Sequence, residues 1–364
     1  MADMFDYLNW RGDILFSQVG LTDADALVLS TLAYVFYDDV VPTEPHSFLT
    51  LREAAANLLR KPDLEDRSRV SADISLLQAA ALTERFGRVG LTFYRNIFIP
   101  EEDTQFAAMT FLLEDGSAFL AFRGTDNSLV GWKEDFNMSF RTSIPAQHLA
   151  REYAEEFALA SHYPLYLGGH SKGGNLAVYA AAKGHAVLGG RIRKVYNLDG
   201  PGFHEAMMED PGYLATVPQI RTIVPQASVF GLLMEHREPL AIIRSSQIGI
   251  MQHDPYSWEI LGKGFLEVEE FTPDSQFLDK TIRAWLADMT REERSEFFDT
   301  LFDLLMQEGA TRVRDIFRPQ NILASFKAMQ EDGSILTTLS AQLGKLAEAA
   351  KTVQGQDTQQ LDEA

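Results

Sequence analysis

The chain has 364 residues, 52 Asp and Glu against 32 Lys and Arg, a formal net charge of −20, and no cysteine. That length builds a sizeable core in one large domain or two ordinary ones. The acidic balance argues against nucleic acid or an anionic membrane as the main partner, and the absence of cysteine excludes disulfides and thiolate chemistry. The opening MADMFDYLNWRGD has no basic stretch before an apolar core, and no apolar run is long enough to span a bilayer. The expectation is a soluble, cytoplasmic chain with no integral membrane contact and no nucleic-acid partner. Asn137-Met138-Ser139 matches the glycosylation pattern, which carries no meaning without secretion.

In chain order, the first hundred residues read as mainly helical. Thr22-Asp23-Ala24-Asp25 suits a helix cap, with apolar positions at Leu27, Leu29, Leu32, Ala33, Val35 and Phe36 after it. Pro42 and Pro45 break the pattern, and further helices are expected over 49–60 and 68–81. GLTFYRNIFIP, from Gly90, is strand-like. QFAAMTFLLEDGSAFLAFRGT, from Gln105, reads as two β-runs joined at Glu114-Asp115-Gly116-Ser117, where Asp-Gly signals a hairpin. Residues 146–160 are helical, with Tyr153, Phe157 and Ala160 on one face, and lead to the short apolar run Pro164–Leu167. A helix over Asn175–Ala181 follows, then strands at Lys194–Leu198, Ile220–Pro225, Leu240–Arg244 and Phe265–Val268. Strands alternating with helices predict an α/β fold with a mostly parallel, doubly wound sheet. The partition is a helical N-terminal segment over 1–88 packed on the core, an α/β core over 89–272, a helical region over 273–350 and a disordered tail over 351–364.

Between the run at Pro164 and its following helix lies Gly169-His170-Ser171-Lys172-Gly173, a match to G-x-S-x-G. In an α/β-hydrolase this pattern bends the chain from strand to helix and exposes the serine on the turn; the strand and helix expected on either side raise its specificity. An idle serine in a glycine-rich turn is the plainer alternative. A serine hydroxyl needs a base to take its proton and a third group to orient that base. The order in this fold is nucleophile, acid, histidine. Downstream of Ser171 stand His185, His204, His236 and His253. His253, in Met251-Gln252-His253-Asp254-Pro255, falls in a turn between late strands, where the fold carries its base. For the acid, Asp199 ends a strand and is followed by Gly-Pro-Gly. Asp254 adjoins the histidine, and its simpler role is to start the Asp-Pro turn. The oxyanion of acyl transfer takes one donor from the amide after the nucleophile, here Lys172. A second is suggested by Ala121–Ser128, where a buried strand ends at a glycine followed by a hydroxyl residue.

AFRGTDNSLVGWKEDF resembles the FRG-S/T…W…D signature of the class-three, fungal-type lipases, and LGGHSKGG resembles their G-H-S-L-G-G elbow. The resemblance spans about residues 90–260. It implies an α/β-hydrolase fold, Thr125 as oxyanion residue, Trp132 as an aromatic of the lid segment, and Asp135 as the acid anchoring the oxyanion loop. With these, DYLNWRGDILF, NLDGPGF and QHDPYSWEI together resemble a bacterial family of lipase-like proteins with no assigned substrate. Two departures stand out. Lys172 replaces the leucine after the serine; its side chain would favour an anionic substrate group or, the expected case, point to solvent. The later strand that carries the lipases' acid has no carboxylate, Ser228 being the nearest match, so Asp199 is the candidate acid.

The leading reading is a serine hydrolase, lipase- or esterase-like, using Ser171, His253 and Asp199, with Thr125 and the Lys172 amide as oxyanion donors. It requires no metal or organic cofactor and takes a small-molecule or lipid ester; the oligomeric state is left open. Leu129, Phe136, Met138 and Phe140 suit an apolar lid or ordinary core. The alternative is a hydrolase-fold binding or scaffold protein without turnover.

Overall fold

Apolar runs of strand length become eight strands of one sheet: β1 (Leu49–Thr50), β2 (Gly90–Ile99), β3 (Thr104–Leu112), β4 (Ala118–Phe122), β5 (Leu165–His170), β6 (Ile192–Leu198), β7 (Ile220–Pro225) and β8 (Leu240–Ile243). This computed structural model describes residues 2–126, 128–306, 310–316, 318–331 and 333–362. They form two units, one of Met1–Ile99, Thr104–Gly124 and Pro145–Phe271, the other of Pro100–Asp103, Thr125–Ile144 and Thr272–Ala364. The boundary is therefore not a single cut near 273: the second unit also takes the segment between β4 and Pro145. Asn127, inside the run expected to follow β4, lies outside the described residues.

In the first unit the strands stand in consecutive order. β1 to β4 pair antiparallel and β4 to β8 parallel. The β3–β4 connection is the expected hairpin, with Gly116 at φ +80°, where a side chain is disfavoured. The fold is thus α/β with a mostly parallel sheet, but it is not doubly wound. Double winding needs a strand order that reverses, sending right-handed crossovers to both faces. Here the order never reverses. The helices Pro145–Ala160, Lys172–Lys183 and Pro211–Thr216 pack in a row, and Phe122 of β4 meets Tyr153 of the first of them.

The opposite face is covered by the N-terminal helices. Phe119 and Ala121, which alternate with Phe122 along β4, join Leu27, Leu76, Tyr196, Leu198 and Ile223 in one apolar core. The helix Asp23–Leu32 starts at the expected capping box, Thr22 accepting from the Asp25 amide and Asp25 from the Thr22 amide. Asp25 is also held by Arg85, and both side chains are fully buried.

The second unit is helical. Its helices include Leu129–Asn137, Pro273–Ala287, Arg291–Leu305, Pro319–Glu331 and Gly333–Asp362. Phe140 is buried with Phe297, Phe298 and Phe302, and Leu129 and Met138 are buried as well, so these candidate lid residues are core. Phe136 is half-exposed and stacks on Phe298. Residues 351–362, expected to be disordered, are the last turns of the helix from Gly333. A formed helix extends at little cost per residue, and Val353 is buried; residues 363 and 364 lie outside the described ones. Among the described residues no helix is long and apolar enough to cross a membrane.

Candidate active site

Ser171 stands between β5 and the helix Lys172–Lys183 with φ 60° and ψ −134°, a conformation an L-residue adopts only when its surroundings hold it there. The neighbouring glycines make the turn feasible. A Cβ on Gly173 would come within 2.1 Å of the Phe122 carbonyl oxygen, and one on Gly169 within 2.3 Å of the Gly173 backbone. The Ser171 amide donates to the Leu198 carbonyl at 2.9 Å, tying the turn to the end of β6.

One residue beyond β6, Asp199 is fully buried and also has positive φ, 53°. Its loop is fastened by side chains: Asn197 Oδ1 accepts from the Gly200 amide at 2.9 Å, and Asn175 Nδ2 donates to the Pro201 and Gly202 carbonyls. His253 closes a short 3-10 turn over Gly249–His253. Its Nδ1 lies 2.6 Å from Asp199 Oδ2, and its Nε2 lies 3.0 Å from Ser171 Oγ. A carboxylate only accepts, so Nδ1 carries the proton and the Nε2 lone pair faces the serine hydroxyl. Ser171, His253 and Asp199 therefore form one continuous hydrogen-bonded line, all within the first unit.

The other histidines are elsewhere: His185 lies against Thr216, His236 against Glu238, and His204 precedes the helix Glu205–Met208. The Asp254 carboxylate caps the turn Pro255–Ser257 by accepting from the Tyr256 amide at 3.2 Å, which is its turn role.

With this geometry in hand, the Mbeg1-like family model matches residues 80–303, more than half of the chain. The chain belongs to the Mbeg1-like family. It is a lipase-like family. No curated protein matches the chain, and no solved structure does. The Mbeg1-like match takes in Thr125, Trp132, Asp135, Ser171, Lys172, Asp199 and His253, and begins after most of the N-terminal helices that cover the sheet.

Two features were not legible beforehand. Ser228, at the late-strand position without a carboxylate, accepts from the Gly231 amide at 3.0 Å and donates its hydroxyl to Asp199 Oδ1. The position that lacks a carboxylate thus hydrogen-bonds Asp199, the candidate acid that follows the preceding strand. His170, inside the elbow motif, is buried; its Nε2 donates to the His253 carbonyl at 2.8 Å, so its Nδ1 accepts from the Tyr34 hydroxyl at 2.9 Å. Burial, with His253 and Arg69 adding to it, holds His170 well below the usual imidazole range and therefore neutral. The His253 loop is also tied to the N-terminal segment, the Tyr256 hydroxyl donating to Asp73 at 2.8 Å.

Lys172 corrects an expectation. It is the first helical residue, and its side chain does not reach solvent. It is buried, and Nζ donates to the Gln105 carbonyl at 2.9 Å and to Gln105 Oε1 at 3.0 Å. The ammonium spans from the elbow to the start of β3, where a backbone carbonyl and a side-chain amide meet its charge. In the second unit, Thr125 donates its hydroxyl to Asp135 Oδ2, and Trp132, on the helix Leu129–Asn137, is partly exposed. Gly124, the residue before Thr125, runs beside the elbow: a Cβ there would lie 2.4 Å from the His170 carbonyl oxygen and 3.2 Å from Ser171 Cβ.

Proposed function

We propose that this Mbeg1-like protein is a serine hydrolase of the α/β-hydrolase type that cleaves a carboxylic ester through an acyl-enzyme on Ser171. The observation that carries the reading is the line of contacts from Asp199 through His253 to Ser171, at 2.6 and 3.0 Å, on a strained elbow. In the first step Ser171 Oγ bonds to the ester carbonyl carbon while His253 Nε2 takes its proton. The imidazolium forms beside the Asp199 carboxylate, which stabilises the new charge. Collapse of the tetrahedral intermediate breaks the carbon–oxygen bond, and His253 returns the proton to the leaving alcohol. Water, deprotonated by His253, then releases the acid by the reverse sequence.

The Lys172 amide, at the N-terminus of a helix, is the first candidate oxyanion donor. Thr125, next in the chain after Gly124, is the second, its hydroxyl oriented by Asp135 as the likeness to class-three lipases implies. The substrate is a small-molecule or lipid ester, and no step needs a cofactor.

The test is reaction of the purified full chain with a fluorophosphonate probe beside Ser171→Ala, His253→Ala and Asp199→Asn. Labelling lost in the first two and reduced in the third is the expected result. A folded wild type that takes no label, with or without detergent, overturns the reading in favour of a binding protein on the same fold.

A further inference from the structure

Resting on that reading, a second histidine, His236, is linked to the triad through neighbouring residues. His236 has both ring nitrogens engaged: Nδ1 lies 3.1 Å from Glu238 Oε1, and Nε2 lies 2.9 Å from the Gly231 carbonyl oxygen. A carbonyl oxygen accepts only, so Nε2 carries a proton. Glu238 accepts from the Tyr213 hydroxyl at 2.8 Å and from the Thr222 hydroxyl at 2.5 Å. Burial raises the Glu238 carboxyl, but the bonds from His236 and Thr222 outweigh it and bring it down to about 2. Glu238 is thus met by Tyr213, Thr222 and His236. The His236 side chain is 7 % exposed and that of Glu238 1 %.

What the His236 ring grips is the short turn Phe230–Leu232. The Gly231 amide donates to Ser228 Oγ at 3.0 Å, which leaves the Ser228 proton for Asp199 Oδ1. The Phe230 ring lies 4.3 Å from the His253 ring, centroid to centroid. Gly231 abuts the acid so closely that a Cβ on it would stand 2.4 Å from Asp199 Oδ1. One turn thus touches both the acid and the base of the triad, and its carbonyl is fastened by a group that the hydrolysis chemistry does not use. The other groups around this contact are Tyr213, on the helix Pro211–Thr216, and Thr222, on β7, both acting through Glu238. The neighbouring Arg237 guanidinium is turned away, its Nε donating to the Met208 carbonyl at 2.8 Å.

We propose that His236 is a positioning residue: its ring, anchored on Glu238, clamps the turn Phe230–Leu232 through the Gly231 carbonyl so that Ser228 and Phe230 hold Asp199 and His253 in line with Ser171.

The experiment measures fluorophosphonate labelling of the full chain as a function of probe concentration, for wild type, His236→Gln, Ser228→Ala and the double variant. Both single variants are expected to lower the maximal labelling rate by about tenfold to a hundredfold, the cost of misplacing a reacting group by up to an ångström. The half-saturating probe concentration stays unchanged, and the double variant loses no more than the worse single, because both act through one turn. Nitrogen-15 NMR of histidine-labelled wild type is expected to show a proton on His236 Nε2, as its bond to the Gly231 carbonyl requires. A His236 Nε2 without a proton, an unchanged maximal rate in either folded variant, or losses that add in the double variant overturns the proposal. Should His236→Gln fail to fold, Ser228→Ala and the wild-type NMR spectrum decide it. A wild type that takes no label overturns the hydrolase reading itself, an outcome distinct from a labelled wild type whose variants label equally well.

Discussion

Replacing Asp199 by Asn removes one charge and one acceptor while keeping the volume and shape of the carboxylate. In the proposed transition state His253 is an imidazolium whose Nδ1 faces Asp199 Oδ2, 2.6 Å away in this structure. Opposite charges with centres about 4 Å apart attract by about 4 kcal/mol at an effective dielectric of 20, a roughly thousandfold effect on rate. Asp199 is fully buried and the His253 side chain 21 % exposed, so solvent screens the pair less than it would a surface pair. The neighbouring Asp254→Asn variant is the control, since that carboxylate caps a turn through the Tyr256 amide. Second-order rate constants for fluorophosphonate labelling at fixed pH, with circular dichroism to check folding, are expected to fall about a thousandfold in Asp199→Asn and by less than about threefold in Asp254→Asn. A loss under tenfold in Asp199→Asn, or an equal loss in both, would refute the assignment of the acid.

Three other outcomes follow from the same contacts. Lys172→Met takes a donor from the buried Gln105 carbonyl and is expected to lower unfolding free energy in urea by about 1–3 kcal/mol; a change within about 0.5 kcal/mol is what a solvated side chain would give. Gly173→Ala sets a methyl group 2.1 Å from the Phe122 carbonyl oxygen, a backbone clash expected to cost more than about 4 kcal/mol, read as loss of soluble protein or of the cooperative melting transition. Glu238 is held at about 2 against an ordinary 4.5. A lowered carboxyl stabilises the fold above its unfolded value, and that contribution is lost as pH falls from about 4.5 towards 2. Glu238→Gln is therefore expected to be about 3 kcal/mol less stable than wild type at neutral pH, with the gap closing across that acid window in denaturation curves; a gap independent of pH would contradict it.

Much of the site was legible because its signals are local. Gly169 and Gly173 flank Ser171 at the spacing that a strand-to-helix turn demands, and the apolar runs on either side are short enough to be buried strand and helix. Asp199 and His253 could be proposed because each follows or interrupts a strand-like run, and residues at strand ends of a parallel sheet gather along one edge. The capping box at Thr22 and the Asp115-Gly116 hairpin depend on neighbours within a few residues, so composition was enough to find them.

What only the tertiary structure decided depends on which distant segments share a face. Nothing in the sequence near Ser228 shows that its hydroxyl meets Asp199, 29 positions away, or that His170 meets Tyr34 across 136 positions. The Lys172 side chain was expected in solvent because lysine is costly to bury; Gln105, 67 positions upstream, supplies the acceptors that make burial tolerable. The winding of the sheet likewise lies beyond local pattern. Apolar periodicity shows that each strand is buried on two faces but not which helices cover them, and here the crossovers take one face and the N-terminal helices the other. Sequence determines local geometry through sterics and nearest neighbours. Pairings across many residues are chosen by the burial and hydrogen-bond satisfaction of the whole chain, and those decided the support of the acid, the fate of the lysine and the layering of the sheet.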